Sequence, residues 1–349
     1  MKKSMMLFLV CMLVAVGFSA CSSGGGGAPA GGPVYDNSKA NGTFTYVGID
    51  AAGGFSVDRG TVTFDGAGHG VHTSLTSTDA GPFTYTVTVP GNTLTIDGAL
   101  IGTLNAAGTF FSAADVSGGS IFMMSGVKSS ASFTDTSVTY AGGDFQYSSA
   151  TGTTAADLFS IVTVTPTDGN LFYSGLTSSG ATSYSIATNG SFTIAPAVLP
   201  TTFGAISSDK NFMVFADAET VVDPMMSVAV ALKLPGFGMT PASLSGTYMG
   251  YEFMDSNVSA GPAFEVSRYR LTFAGNGNGT GTVLASSNVG NTGTFTFTYV
   301  MAADGTFTIT GGPGGTIYGV ALQDGSVFAM VDPEPIGDNS IMSFIAIKQ

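Results

Sequence analysis

Phe83-Thr84-Tyr85-Thr86-Val87-Thr88-Val89 and Thr294-Phe295-Thr296-Phe297-Thr298-Tyr299 are the stretches whose reading decides the fold. In both, a large apolar side chain alternates with threonine at a period of two, the pattern of a β-strand with one dry face and one wet face. Phe295, Phe297 and Tyr299 are therefore expected to point into a core, with Thr294, Thr296 and Thr298 outward. Around such runs stand Asp65-Gly66, Asp168-Gly169, Asn189-Gly190, Asn276-Gly277, Asp304-Gly305 and Asp324-Gly325. These are hairpin signals, because glycine supplies the positive φ that tight turns need. No segment beyond the N-terminal apolar run has a sustained helical period with caps.

The chain also repeats itself. Gly42-Thr43-Phe44-Thr45-Tyr46, Gly143-Asp144-Phe145-Gln146-Tyr147 and Gly246-Thr247-Tyr248-Met249-Gly250 open three units spaced 101 and 103 residues apart, and each unit closes on a lone lysine, Lys128, Lys233 or Lys348. A period near 100 is too long for a solenoid repeat and is the size of a domain. The third unit divides into eight strands, 246–253, 267–274, 279–286, 293–301, 306–311, 315–322, 326–331 and 340–347. Eight short antiparallel strands with hairpin links predict a closed up-and-down barrel, since closure removes exposed edges. The expected fold is thus all-β: three tandem eight-stranded barrel units over 41–130, 141–235 and 243–349, each able to fold alone. A sandwich is the second choice and six propeller blades the third.

Gly42-Thr43-Phe44 and Gly246-Thr247-Tyr248 occupy the place of the opening Gly-x-Trp strand in meander barrels, so each unit resembles the lipocalin and avidin type. The Gly/Thr-rich units ending in Lys348-Gln349 also resemble uncharacterised secreted bacterial proteins of this kind. Lipocalin resemblance implies a small apolar ligand held in the barrel mouth. Against an open cavity stand 26 Phe and 12 Tyr distributed over three small barrels. An interior filled by its own side chains is expected.

The first residues carry an address. Met1-Lys2-Lys3, an apolar run from Met5 to Phe18 and Ser19-Ala20-Cys21 resemble a bacterial lipoprotein signal over residues 1–20, the run being too short for a spanning helix. That resemblance implies acylation of Cys21, and Ser22 implies sorting to the outer membrane, on its periplasmic or cell-surface face. An ordinary secretory peptide cut near Ala20 is the other reading. Residues 21–40, with Gly24 to Gly27 and Gly31-Gly32, read as a flexible lipidated tether. Only Cys11 and Cys21 exist, so the mature chain would hold no free thiol and no disulfide, which excludes thiol catalysis and thiolate metal sites.

Charged residues make up only 9% of the 349, and losing Lys2 and Lys3 takes the formal charge from −13 to about −15. Phosphate backbones would repel this, so nucleic acid is not an expected partner, and anionic membrane surfaces are disfavoured on the same ground. His69 and His72, three apart on a strand, face opposite ways and read as solvent-facing. Asp332, Glu334 and Asp338, Asp217, Glu219 and Asp223, and Asp115 follow the seventh strands; they could offer oxygens to Ca²⁺ but read as solvated turns. Gly275-Asn276-Gly277-Asn278-Gly279 and Gly311-Gly312-Pro313-Gly314-Gly315 lack the Lys-Ser/Thr of a phosphate loop. Arg59 and Arg268 read as wet rim charges at equivalent places. No Gly-x-Ser-x-Gly elbow occurs, and no base is repeated in every unit. The expectation is a non-enzymatic, outer-membrane-anchored lipoprotein with a structural or surface-interaction role, no cofactor, no metal, and the membrane as partner through Cys21. A small apolar ligand-binding module is the alternative, and one integral outer-membrane barrel of 24 strands the second alternative.

Overall fold

The computed structural model describes residues 34–349 except 53, 77–79, 118–120, 134–137, 164–169, 176–178, 195–202, 218–224, 257–262, 313–314 and 334–339. It is all-β, in three units. The first holds β1 (Val34–Tyr35), β2 (Gly42–Asp50), β3 (Ser56–Phe64), β4 (His69–Ser74), β5 (Ala80–Val89), β6 (Thr93–Ile96), β7 (Leu100–Leu104), β8 (Phe110–Asp115) and β9 (Phe122–Lys128). The second holds β10 (Thr139–Ser148), β11 (Thr153–Thr163), β12 (Asn170–Gly175), β13 (Ser179–Ile186), β14 (Ser191–Ile194), β15 (Phe203–Ile206), β16 (Phe212–Asp217) and β17 (Met225–Lys233). The third holds β18 (Gly246–Asp255), β19 (Phe264–Phe273), β20 (Asn278–Ser286), β21 (Thr294–Met301), β22 (Thr306–Thr310), β23 (Ile317–Ala321), β24 (Val327–Asp332) and β25 (Ile341–Lys348).

The second and third units are closed antiparallel eight-stranded barrels. The first departs from the expectation of three alike: it is a nine-stranded sheet, β1-β5-β4-β3-β2-β9-β8-β7-β6, with a further β5–β6 pairing. The cause is β1, which leaves the incoming chain to pair with the end of β5, Val34 opposite Val89 and Tyr35 opposite Thr88. No sandwich or propeller forms, and the described ladders do not join into one 24-stranded barrel.

Register also corrects the repeat. The residue facing each closing lysine is Phe44, Tyr140 or Tyr248. The second unit therefore opens at Thr139-Tyr140, and not at the look-alike Gly143-Asp144-Phe145. Phe145 instead matches Ile49 and Phe253, all turned out of their own unit. In the outer units the opening and closing signals meet: the Lys128 ammonium lies over the Phe44 ring at 6.0 Å and that of Lys348 over Tyr248 at 5.8 Å. Gly246, at φ 126°, leaves room for this, since a Cβ there would stand 2.8 Å from Lys348 Cε.

The interiors explain why glycine and phenylalanine are both abundant. Phe83 lies opposite Gly70, Phe111 opposite Gly126, Phe192 opposite Gly204, Phe297 opposite Gly279 and Phe307 opposite Gly319. In each pair the ring folds over the bare glycine Cα, the cross-strand shielding by which an aromatic covers glycine backbone. A Cβ on Gly279 would meet the Phe297 ring at 2.3 Å. Gly279→Ala is therefore expected to cost about 1–3 kcal/mol by overpacking. An unchanged denaturant midpoint for that variant would show that the ring can swing away freely.

A second core lies between the units. Val47, Phe110, Phe145, Val214, Phe253 and Val331 belong to one buried cluster drawn from all three. Phe55, in the β2–β3 connection, reaches into it, with Phe145, Tyr147, Phe253 and Phe264 rings at 5.1 to 5.9 Å. The three units stand side by side and point the same way. At the ends bearing the tight turns, Thr109 Oγ1 donates to Asp209 Oδ2 at 2.7 Å and the Gln349 side chain to Gly91 O at 3.4 Å. At the opposite ends, the mouths, Thr154 Oγ1 donates to Asp255 Oδ2 at 2.7 Å.

Candidate functional site

Along β18, Tyr248 and Glu252 share the inward parity, while Tyr251 and Phe253 face the seams between units. The depth of the third barrel is filled by rings in contact: Phe273 stands 5.5 Å from Tyr248, 5.1 Å from Phe297 and 5.2 Å from Phe328. Phe297 and Tyr299 are buried, Phe295 half-buried, and Thr294, Thr296 and Thr298 exposed, as the alternation predicts.

Nearer the mouth the interior turns polar. Tyr269 Oη donates to Glu252 Oε2 at 2.6 Å, and the Asn291 amide donates to Tyr269 Oη at 3.3 Å and to Ser267 Oγ at 3.2 Å. Ser267 Oγ donates in turn to Ser286 Oγ at 2.8 Å. Burial, then the neighbouring Glu252 charge, holds the Tyr269 hydroxyl protonated well above the usual phenol range. Glu265, 8% exposed, accepts from Asn288 at 2.9 Å through Oε1, while its buried Oε2 has no hydrogen-bond partner. Such a network can take a donor at Glu265 Oε2.

None of Glu252, Glu265 and Tyr269 was singled out by sequence motif. Their signal was parity: a glutamate in register with inward aromatics has to be buried, and so has to be hydrogen-bonded.

The residues that were singled out are scattered. Cys21 lies outside the described residues, as do Glu219, Asp223, Glu334 and Asp338. Asp217 and Asp332 are buried at their strand ends rather than solvated, while Asp115 accepts from the Ser117 amide and hydroxyl in an ordinary turn. Among the described residues no three His, Cys, Asp or Glu side chains converge on a metal site.

Arg59 and Arg268 are indeed equivalent, but they are seam residues and not wet rim charges. The Arg59 guanidinium lies 5.4 Å from the centre of the Phe203 ring in the second unit, and burial lowers its pKa against the opposing pull of Asp217. Arg268 pairs in register with Tyr251. The Tyr251 hydroxyl in turn shares a 2.7 Å hydrogen bond with Thr103 of the first unit. His69 is exposed beside Asp65, at 3.6 Å. His72 is half-buried, on the strand face it shares with the buried Gly70 and Ser74, so only one of the two histidines looks to solvent.

A groove lies elsewhere, on the outside of the third barrel. It measures about 400 Å³ and is lined by Thr272, Thr280, Thr296, Thr298 and Thr310, with the Phe297 ring showing at Gly279. It is a consequence of outward threonine and bare glycine on adjacent strands, and offers hydroxyls without a charged group.

A scan against protein families finds no match, and neither does a search of curated proteins. Among solved structures, a mutant of the vaccine antigen transferrin binding protein B from Haemophilus parasuis overlaps 92% of this chain and 77% of its own, at 10% identity and TM-score 0.32. The isotype 1 transferrin binding protein B of serogroup B Neisseria meningitidis overlaps 89% and 77%, at 12% identity and TM-score 0.32. A protein of unknown function from Nostoc punctiforme overlaps 61% of this chain and 96% of its own, at 11% identity and TM-score 0.24. Superpositions at this level do not bear on what this chain binds.

Proposed function

We propose that this chain is a lipid-anchored outer-membrane lipoprotein, acylated at Cys21, on the periplasmic or cell-surface face, with a structural or surface-interaction role and no catalytic one. The observation that supports the non-carrier part is the filled interior of the third barrel: rings from Tyr248, Phe273, Phe297, Phe307, Phe328 and Phe344 occupy the space a carrier would leave for its ligand. The small apolar ligand module is the weaker alternative for that reason. Threonine on the outside and rings on the inside also run opposite to a lipid-embedded barrel, whose outer band is apolar. The partner is then a protein of the envelope or its surroundings, met through the outer surface.

The anchor is tested by metabolic labelling with a fatty acid. Wild type is expected to take up label and fractionate with membranes, whereas Cys21→Ser is expected to be unlabelled and soluble, since one lost acylation site removes every chain that holds it. A wild-type protein that is unlabelled and soluble excludes the reading.

A further inference from the structure

We infer that the mouth of the third barrel is a binding site for one primary ammonium group, of a free amine or of a lysine side chain, held by Glu265 and Glu252. The inference is independent of the lipid anchor.

Both glutamates have inward parity and are buried, Glu252 at 6% and Glu265 at 8% exposure. Across the β18–β19 ladder Glu252 faces Ser267 and Met254 faces Glu265, which makes the two glutamates diagonal neighbours. Diagonal positions lie roughly 7–8 Å apart, a spacing that a single ammonium bridges when both carboxylates turn towards it.

Glu265 lacks a donor. Its Oε1 accepts from Asn288 at 2.9 Å, but its buried Oε2 accepts from nothing, and among the described residues it makes no ion pair. An unbonded buried carboxylate oxygen is costly, more so than a neutral acceptor. The other units avoid that cost. Asp58, at the place of Ser267 in the first unit, accepts from Tyr46 Oη at 2.8 Å, Ser74 Oγ at 2.7 Å and Thr76 Oγ1 at 2.6 Å. Asp144, at the place of Glu252 in the second, accepts from the Gln146 amide.

No basic side chain supplies the missing charge. Residues 243–349 contain only Arg268, Arg270 and Lys348. Arg268 has seam parity opposite Tyr251, Arg270 is exposed on the outer face, and Lys348 lies over Tyr248 at the far end of the barrel. The four connections at this mouth, 256–263, 287–293, 311–316 and 333–340, contain neither lysine nor arginine.

The donor set suits an ammonium better than a metal ion. No third carboxylate or imidazole joins the pair among the described residues. An ammonium brings one charge and three N–H donors, and its hydrogen bonds to carboxylate are charge-assisted. Asn288, which bonds Glu265, is itself exposed in the β20–β21 connection, so rotation of this one side chain leads from solvent to the carboxylate.

The test is calorimetric titration of the full chain with n-butylamine and with Nα-acetyl-lysine N-methylamide, both as ammonium salts. Each is expected to bind saturably at one per chain, and the tighter of the two identifies the source as a free amine or a partner's lysine. Glu265→Gln, nearly isosteric, is expected to weaken both by about tenfold or more. Asp304→Asn removes one charge from an exposed turn at the opposite end of the same barrel and should leave both unchanged. Tetramethylammonium, which has no N–H donor, should not compete. If Glu265→Gln fails to fold, Glu252→Gln is read in the same way. Absence of saturable amine binding overturns the site, as does a loss no greater in the glutamate variant than in Asp304→Asn. Equal competition by tetramethylammonium, or calcium binding that the amines do not displace, overturns the ammonium assignment.

Discussion

A fragment carrying residues 243–349 alone is expected to self-associate or remain molten, although it contains all eight strands of a closed barrel. The third unit contributes two faces to burial, not one. Its inward side chains make their own core, but Tyr251, Phe253, Val266, Val331, Ile345 and Ile347 face the seams and are each 0 or 1% exposed only because the other units cover them. At about 1.5–3 kcal/mol for each large apolar side chain, uncovering these costs on the order of ten kcal/mol, comparable with the whole stability of an ordinary domain. The Tyr251 hydroxyl would also lose its bond to Thr103. Sedimentation with circular dichroism decides: a monodisperse monomer with cooperative unfolding, the outcome that a repeat of domain size suggests, would mean that the seam contributes little. Charged substitutions at Phe253 and Ile345 should restore monomers if exposure of the seam is the cause.

The strand pattern, the inward set of β21 and the eight elements of the third unit were legible because a half-wet strand writes its two faces into alternate residues. Every strand expected there lies within three residues of its observed bounds. The seam was not legible. Strands such as Ile341–Lys348, buried on both faces, read Ile-Met-Ser-Phe-Ile-Ala-Ile without alternation, and a continuous apolar run does not say which second surface covers it. The same gap misplaced Arg59, which lies against the Phe203 ring of the second unit, and Arg268, which pairs with the seam residue Tyr251. It misplaced Phe145 too: a short Gly-x-aromatic echo has the right spacing to within five residues, and one odd shift in register turns a side chain from core to seam. At the candidate site, Glu252 and Glu265 escaped notice because no motif marks them, only the cost of burying a carboxylate without partners.

Phe328→Ala is expected to cost about 3–5 kcal/mol, the range for removing a fully buried ring from a packed core. Phe328 is 0% exposed and its ring stands 5.0 Å from Tyr248, 5.2 Å from Phe273, 5.6 Å from Phe307 and 6.4 Å from Phe344. These four neighbours belong to four different strands, so no single strand can shift to fill the vacated volume. The cavity should stay dry and accept a small apolar molecule such as benzene, which the wild type should not bind. Thr296→Ala, on the exposed face of the same barrel, is the control and should change stability by no more than about 0.5 kcal/mol. Denaturant unfolding and calorimetric titration read both quantities. A loss under about 1 kcal/mol for Phe328→Ala, or saturable stoichiometric binding of an apolar probe to the wild type, would mean that the barrel is already open. In that event, carriage of a small apolar ligand replaces the structural and surface-interaction role.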